Sequence, residues 1–271
     1  MTALRAQPLA KLREGLHVSV SQIGCYTRCS QAYAHRYVLG TPPSHRSVAL
    51  SFGSAIHHAL ALHYEYLKAH GEKPAIEELQ GWFADRLEVE LADPAIPIRY
   101  DDGGDAGKVK DMGIAMLSSF HDKGFMPDRV ISVEQSFGVE LPDPETGVAL
   151  EPRLVGAIDL VAEHQGRVVL VEHKTSARRL DAIRLRYDPQ PTTYMYAAKS
   201  LRIVNPAVAF HLLMKSKGYP VEYLPVTRTK ADEIEMLETF VNVLRAIEQG
   251  ISYKNRGWAC GDCQFRHRCD A

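Results

Sequence analysis

The 271-residue sequence lacks any long apolar run, and a transmembrane helix needs about 18 or more such residues. Residues 1–16 also lack the apolar stretch of a secretory signal peptide. We therefore expect a cytoplasmic protein with no membrane partner. Disulfides are rare in that reducing compartment, so the five cysteines indicate a metal or cluster site more than bridges.

The sequence also has little net charge, only −1 at neutral pH. A nucleic-acid-binding protein of this composition needs a local basic patch, because global attraction is absent. Hydrophobic residues make up 45% of the chain, which is enough for a sizeable core. Internal repeats and low-complexity segments are missing, and the length fits one large domain.

A complete phosphate-binding loop for nucleoside triphosphates is missing too. The stretch 103–108 ends in Gly-Lys and hints at such a loop. Asp102, however, stands at the first required glycine, and Val109 replaces the required Ser or Thr. We expect no nucleoside triphosphate partner.

Two apolar segments, 156–161 and 167–171, flank the turn residues 163–166 and predict a β-hairpin. Asp159 lies in the first strand. Glu172 and Lys174 end the second strand and share one face, because side chains alternate along a strand. A solvated hairpin end with a Glu–Lys pair would explain this pattern. If the group is buried, two carboxylates and an ammonium need a metal or a charged substrate.

Apolar spacing and turn residues predict the remaining elements. We expect helices over about 19–39, 52–67, 75–91, 110–123, 191–204 and 230–250. We expect strands over about 129–141, 153–163, 167–175, 207–214 and 220–226, and a loop over 93–108. The segment 177–188 is polar and basic. This order predicts a mixed α/β protein, a single domain over 1–271 with a helical part (17–125), a core (126–228) and a C-terminal helix with a Cys-rich tail (229–271).

Three further patterns carry candidate chemistry. Gly53 and His57 form Gly-x-x-x-His, which is also compatible with an ordinary helix histidine. Gln190 and Tyr194 lie one turn apart at a helix start and therefore share a face, which packing alone could explain. The tail contains Cys260-x-x-Cys263 and then Cys269. A fourth ligand must come from elsewhere, and this spacing suits an iron–sulfur cluster or a structural zinc equally well.

Taken in order, these motifs resemble the PD-(D/E)xK nuclease superfamily, and within it the RecB-like branch that includes the CRISPR adaptation exonucleases. The resemblance implies an α/β fold with a restriction-endonuclease-like mixed-sheet core, a helical N-terminal layer and a cluster-binding C-terminal tail. It implies catalytic roles for Asp159, Glu172, Lys174, Gln190 and Tyr194. It implies metal ligation by His57, Asp159, Glu172 and the backbone carbonyl of His173.

The same resemblance implies a 4Fe–4S cluster held by four thiolates, of Cys29, Cys260, Cys263 and Cys269. Cys29 is selected by the family's Tyr-x-x-Cys pattern, which begins here at Tyr26. Ser30 follows it where the family usually has proline. We interpret Cys25 as a small buried hydrophobe.

The implied activity is Mg²⁺- or Mn²⁺-dependent hydrolysis of DNA by an exonuclease, in recombination, repair, phage replication or CRISPR adaptation. Other recombination or CRISPR proteins are candidate partners. The alternatives are a non-catalytic DNA-binding adaptor on the same fold and a zinc-stapled endonuclease. Glu134 is a candidate extra metal ligand. Four arginines form either a phosphate contact or a solvated face: Arg178, Arg179, Arg184 and Arg186.

Overall fold

A computed structural model of the protein describes residues 7–92, 95–101 and 103–270. Its strands are β1 (His17–Val18), β2 (Arg46–Ser47), β3 (Ile98–Arg99), β4 (Arg129–Val139), β5 (Arg153–His164), β6 (Arg167–Ser176), β7 (Ala207–Met214) and β8 (Val221–Val226). Its α-helices are α1 (Leu9–Leu12), α2 (Val20–Arg28), α3 (Ser30–Tyr33), α4 (Val48–His70), α5 (Ile76–Leu91), α6 (Ala106–Lys123), α7 (Ala182–Tyr187), α8 (Pro189–Ser200), α9 (Lys230–Glu248) and α10 (Arg266–Cys269). None of the helices described is long and apolar enough to cross a bilayer.

Six strands form one mixed sheet. β5 and β6 are the predicted antiparallel hairpin, and its turn places Gln165 and Gly166 at positive φ, as a tight two-residue hairpin turn requires. β7 runs parallel to β6, with α8 in the connection between them, and β8 returns antiparallel to β7. β2 and β3 form a separate small pair.

The central strand β5 has an unusual edge. β4 pairs along nearly all of one edge, from Leu154 to Glu163. On the opposite edge β6 pairs only with residues 160–164, and β1 only with residues 153–154. Within the described chain, residues 155–159 of β5 therefore have no strand partner on that edge, and the sheet opens there.

Apolar side chains cover both faces of the sheet. α4, α5 and α6 supply one cluster, with Phe52, Tyr64 and Phe83 among its buried residues. α8 and α9 supply the second cluster, with Tyr194 and Phe240. The opening in β5 thus lies between two packed layers, which hold its surroundings rigid.

The prediction of one continuous helix over 19–39 is wrong. Ser19 caps α2 as expected, but Cys29 is extended and ends it. After α3, a π-helical turn, Ala34–Val38, completes the segment. The break has a distant cause, because Ser30 Oγ accepts a hydrogen bond from Tyr253 N at 2.9 Å and Tyr253 O accepts one from Gln31 N at 3.2 Å.

Other boundaries differ for local reasons. α4 and α6 begin about four residues earlier than predicted, because Ser47 and Asp105 cap them. The segment 177–188 contains α7, capped by Asp181. The predicted loop 93–108 contains β3 and the start of α6, while residues 93, 94 and 102 lie outside the described chain.

Candidate metal centre

Asp159 lies at the opening in β5. Ile158 packs into the α8–α9 cluster, whereas Leu160 packs into the α4–α6 cluster. Residues two apart normally share a face, so the alternation is broken at Asp159. Its carboxylate turns to the open edge, where Oδ2 accepts a hydrogen bond from His173 N at 2.8 Å. The side chain thus takes the place of a missing backbone acceptor.

Two further ligating side chains converge on Asp159. His57 on α4 brings Nδ1 to 3.5 Å from Asp159 Oδ2. Glu134 lies opposite Asp159 on β4, between the paired positions 133 and 135, and adopts a φ of 47°. The ligating atoms of these three residues all lie within 4.8 Å of one another. Such a group of oxygen and imidazole donors suits a divalent cation.

The electrostatics of the centre also favour a cation. Burial, and then the Glu134 carboxylate, raise the pKa of Asp159 to about 8. Burial, and then Asp159, raise the pKa of Glu172 to about 8. Partial loss of hydration also raises the pKa of Glu134. Part of that side chain nevertheless remains exposed to solvent. Close carboxylates in a poorly solvated place become stable as anions when a positive ion lies among them.

Glu172 is hydrogen-bonded to a residue of α8, the helix that packs on this face of the sheet. Its Oε2 accepts a hydrogen bond from Tyr194 Oη at 2.5 Å, and Tyr194 is fully buried. The Gln190 side chain in turn hydrogen-bonds Tyr194. The predicted Gln-x-x-x-Tyr pair therefore reaches the centre through Glu172, because both residues lie on the face of α8 that packs on the sheet.

Lys174 lies two residues after Glu172 on the same face of β6. It is paired with a residue that none of the sequence motifs included. Its Nζ lies 2.5 Å from Asp188 Oδ2. The loop that carries Asp188 is held by Arg228, whose guanidinium donates to the carbonyl oxygens of Leu185 and Asp188. Lys174 Nζ also lies 5.0 Å from the centre of the Phe210 ring.

The His173 side chain lies on the face of β6 opposite Glu172 and Lys174, as the alternation along the strand predicts. It stacks on Tyr64 with ring centres 5.4 Å apart. Its Nδ1 lies 3.2 Å from Nδ1 of His211. Only its backbone therefore faces β5, through the N–H bound by Asp159.

The four cysteines assigned to one site line a single cavity between α2, α3 and the tail: Cys29, Cys260, Cys263 and Cys269. Cys25 is buried and is not among the residues lining this cavity. Among the described residues, no three of these thiols lie within 4.8 Å of one another. Four thiols around one cavity suit either an iron–sulfur cluster or a structural zinc.

The four arginines after β6 differ in their contacts. Arg179 pairs with Glu222 at 2.7 Å, and Arg186 pairs with Asp232. Arg178 and Arg184 are exposed and form no ion pair within the described part of the chain. The proposed phosphate contact is therefore reduced to these two side chains.

Comparison with known proteins adds the decisive observation. A model of the PD-(D/E)XK nuclease superfamily matches residues 17–270, nearly the whole chain. The chain belongs to the PD-(D/E)XK nuclease superfamily. The predicted restriction-endonuclease-like mixed α/β fold is thereby confirmed.

One solved structure shares this fold. A protein from Eubacterium rectale, described as a putative exonuclease, superposes with a TM-score of 0.59 at 14% identity, covering 98% of this chain and 92% of the other. The structure of SSO0001 covers 93% of this chain and 95% of its own, but its 9% identity and TM-score of 0.35 carry no argument. The search of curated proteins found no match.

Asp188, the partner of Lys174, was not among the functional residues predicted from the sequence. The available signal was an Asp directly before Pro189 at a helix start, which is typical of an N-cap. Its contact with Lys174 depends on how α8 packs against β6, and no local pattern encodes that. Glu134 was only a candidate, because its position depends on a backbone φ that is uncommon for a non-glycine residue.

Proposed function

We propose that this protein is a deoxyribonuclease that hydrolyses phosphodiester bonds with Mg²⁺ or Mn²⁺. The observation that carries the proposal is the convergence of Asp159, Glu172 and Lys174 at the opening in β5, in a chain that belongs to a nuclease superfamily. DNA is the substrate that membership in the superfamily implies.

Asp159, Glu134 and His57 would hold the cation, and Glu172 would complete the acidic side of the site. A divalent cation supplies a more acidic water and neutralises charge on the scissile phosphate. The backbone carbonyl of His173 is a further candidate ligand. The protein supplies the rigid placement, since Asp159 is held by His173 N and Glu172 by Tyr194.

Lys174 would orient the attacking water and stabilise the negative charge that develops on the phosphate. Its ammonium is restrained by Asp188 at the rim of the site rather than buried beneath it. Gln190 and Tyr194 would act through Glu172, as positioning residues.

We further propose that Cys29, Cys260, Cys263 and Cys269 bind a 4Fe–4S cluster. Four thiols around one cavity match the ligand count of such a cluster. The cluster would join α2 and α3 to the tail, reinforcing contacts such as the 2.6 Å hydrogen bond from Tyr26 Oη to Ile251 O.

The proposal extends to an exonuclease of the RecB-like type, acting in recombination, repair, phage replication or CRISPR adaptation. The order of the motifs supports this proposal, and so does the description given to the Eubacterium rectale protein. The test is cleavage of end-labelled linear DNA and of closed circular DNA with Mg²⁺ or Mn²⁺. We expect nucleotides to be released from the linear substrate only. Rapid nicking of the circle would indicate an endonuclease, and binding of both DNAs without cleavage would indicate an adaptor.

A further inference from the structure

Two adjoining cavities form a continuous groove beside α4, which we call the tail groove. One cavity, of about 520 Å³, lies between the loop 40–46, the start of α4 and the tail. The other, of about 330 Å³, lies between α2, α4 and the 3₁₀ turn Trp258–Cys260. The two cavities share four lining residues: Arg36, Leu50, Gln264 and Phe265.

The most exposed large apolar side chain on this groove is Trp258. It is 89% exposed, whereas a tryptophan of a folded protein is highly buried on average. Leu50, across the groove on α4, is 57% exposed. The indole therefore stands at the lip of the groove with at least one wide face free, and a flat ring could pack on that face.

The groove is also cationic. Arg28 and Arg36 line it, and neither pairs with an acidic residue in the described chain. Arg36 is oriented by Gln264 Oε1 at 2.7 Å. The acidic residues that line the two cavities are already paired: Asp262 with Arg99 at 3.2 Å, and Glu90 with Arg86 at 2.5 Å and Arg46 at 3.4 Å. The groove therefore offers net positive charge to a ligand.

Two buried polar atoms of the larger cavity lack partners within the described part of the chain. Ser51 is 1% exposed, and its Oγ has no hydrogen-bond partner among the described residues. Nε2 of His45 is likewise buried without one. Buried polar atoms normally have a partner, so a ligand rich in oxygen and nitrogen atoms would satisfy groups that the described residues leave unpaired.

The helix α4 carries one wall of the groove and also His57 of the metal centre. Leu50 and His57 are seven residues apart, which is almost two full turns, so they lie on nearly the same face of the helix. The rise between them is about 10.5 Å. That length corresponds to roughly three nucleotides of a stacked strand. A strand in the groove could therefore continue into the site.

We propose that the tail groove binds single-stranded DNA, with Trp258 stacking on an unpaired base and Arg28 and Arg36 contacting phosphates. An exposed aromatic ring beside a positively charged groove is the combination by which proteins hold single strands. A duplex does not offer the face of an internal base to such a ring. The inference rests on the proposed function and adds the strand form of the substrate.

The experiment measures binding of oligo-dT in EDTA, where cleavage is absent, by fluorescence and anisotropy. The chain has two tryptophans. In the Trp82→Phe variant, all tryptophan fluorescence therefore comes from Trp258. We expect oligo-dT to quench that signal. Trp258→Ala should weaken binding about tenfold, and Trp258→Phe should restore most of it. Arg28→Ala should reduce the slope of log K for oligo-dT binding against log salt concentration by about 0.7 in magnitude.

Because Trp258 is so exposed, its replacement should leave the melting temperature unchanged. Arg28→Ala tests the groove independently of any change at Trp258. The proposal is overturned if oligo-dT binds without altering Trp258 fluorescence, if Trp258→Ala binds as tightly as the wild type, or if blunt duplex competes as well as oligo-dT. Cleavage of DNA by the wild type would in each case leave the nuclease proposal standing.

Discussion

Lys174 and Asp188 form an ion pair with Nζ and Oδ2 2.5 Å apart, and about a quarter of each side chain is exposed. The same Asp188 side chain caps α8, because Oδ1 accepts a hydrogen bond from Gln190 N at 3.0 Å. One carboxylate thus fixes both the lysine of the Glu172-x-Lys174 motif and the start of the helix that carries Tyr194. Asp188 is therefore positioned to control the geometry of both.

Asp188→Asn should lower kcat by about tenfold or more, because a charge-assisted hydrogen bond to Lys174 is lost, while metal affinity stays nearly constant. Asparagine is also a good N-cap, so the melting temperature should change little. Single-turnover cleavage measures the effect. The matched control is Asp181→Asn, since Asp181 caps α7 and bonds Arg184 N but is not within contact of Lys174. Equal rates for the two variants would contradict this role for Asp188.

The hairpin of β5 and β6 could be predicted from sequence because side-chain alternation and turn residues are local signals. The break at Cys29 could not, since its cause is a set of hydrogen bonds between Ser30 and Tyr253, which are 223 residues apart. The grouping of Glu134 with His57 and Asp159 needed three elements in register. Local patterns therefore predicted the elements and several candidate residues, while the contacts that position them came only from packing.

Glu134→Gln should weaken binding of Mn²⁺ by about tenfold or more, because it replaces a carboxylate close to Asp159 and His57 with a neutral amide of the same shape. Isothermal titration of the purified protein measures this. Glu140→Gln is the control, since Glu140 is exposed just beyond the end of β4. Unchanged affinity in Glu134→Gln would remove Glu134 from the site.

The metal-free protein should lose stability as the pH rises. Asp159 has a pKa of about 8 in the folded chain against an ordinary value of 3.8. Between these values the folded state holds a proton that the unfolded state has released, so stability falls as the pH rises through this window. Asp159→Asn removes the effect. In EDTA its gain in melting temperature over the wild type should be larger near pH 9 than near pH 5. A gain that is equal at both pH values would contradict the assigned burial of Asp159.

The cysteine assignment predicts a brown protein after anaerobic purification, with iron and sulfide in equal amounts. Cys29→Ser should bleach it, lower the melting temperature and reduce the soluble yield, because the ligands join both ends of the chain. Cys25→Ser is the matched control from one turn earlier and should keep the colour. The reverse result would move the ligand to Cys25. Colourless protein with stoichiometric zinc would replace the cluster with a zinc site.

Cleavage of end-labelled linear DNA by the wild type, Asp159→Ala and Glu172→Ala, with Mg²⁺ or Mn²⁺ and then with excess EDTA, tests the central claim most directly. The wild type should cleave only with the cation. Both variants should remain folded and bind oligo-dT, yet fall to background, because each loses a carboxylate of the metal centre. Undiminished cleavage by the wild type in EDTA, or by Asp159→Ala with the cation, would contradict a metal-dependent nuclease centred on Asp159.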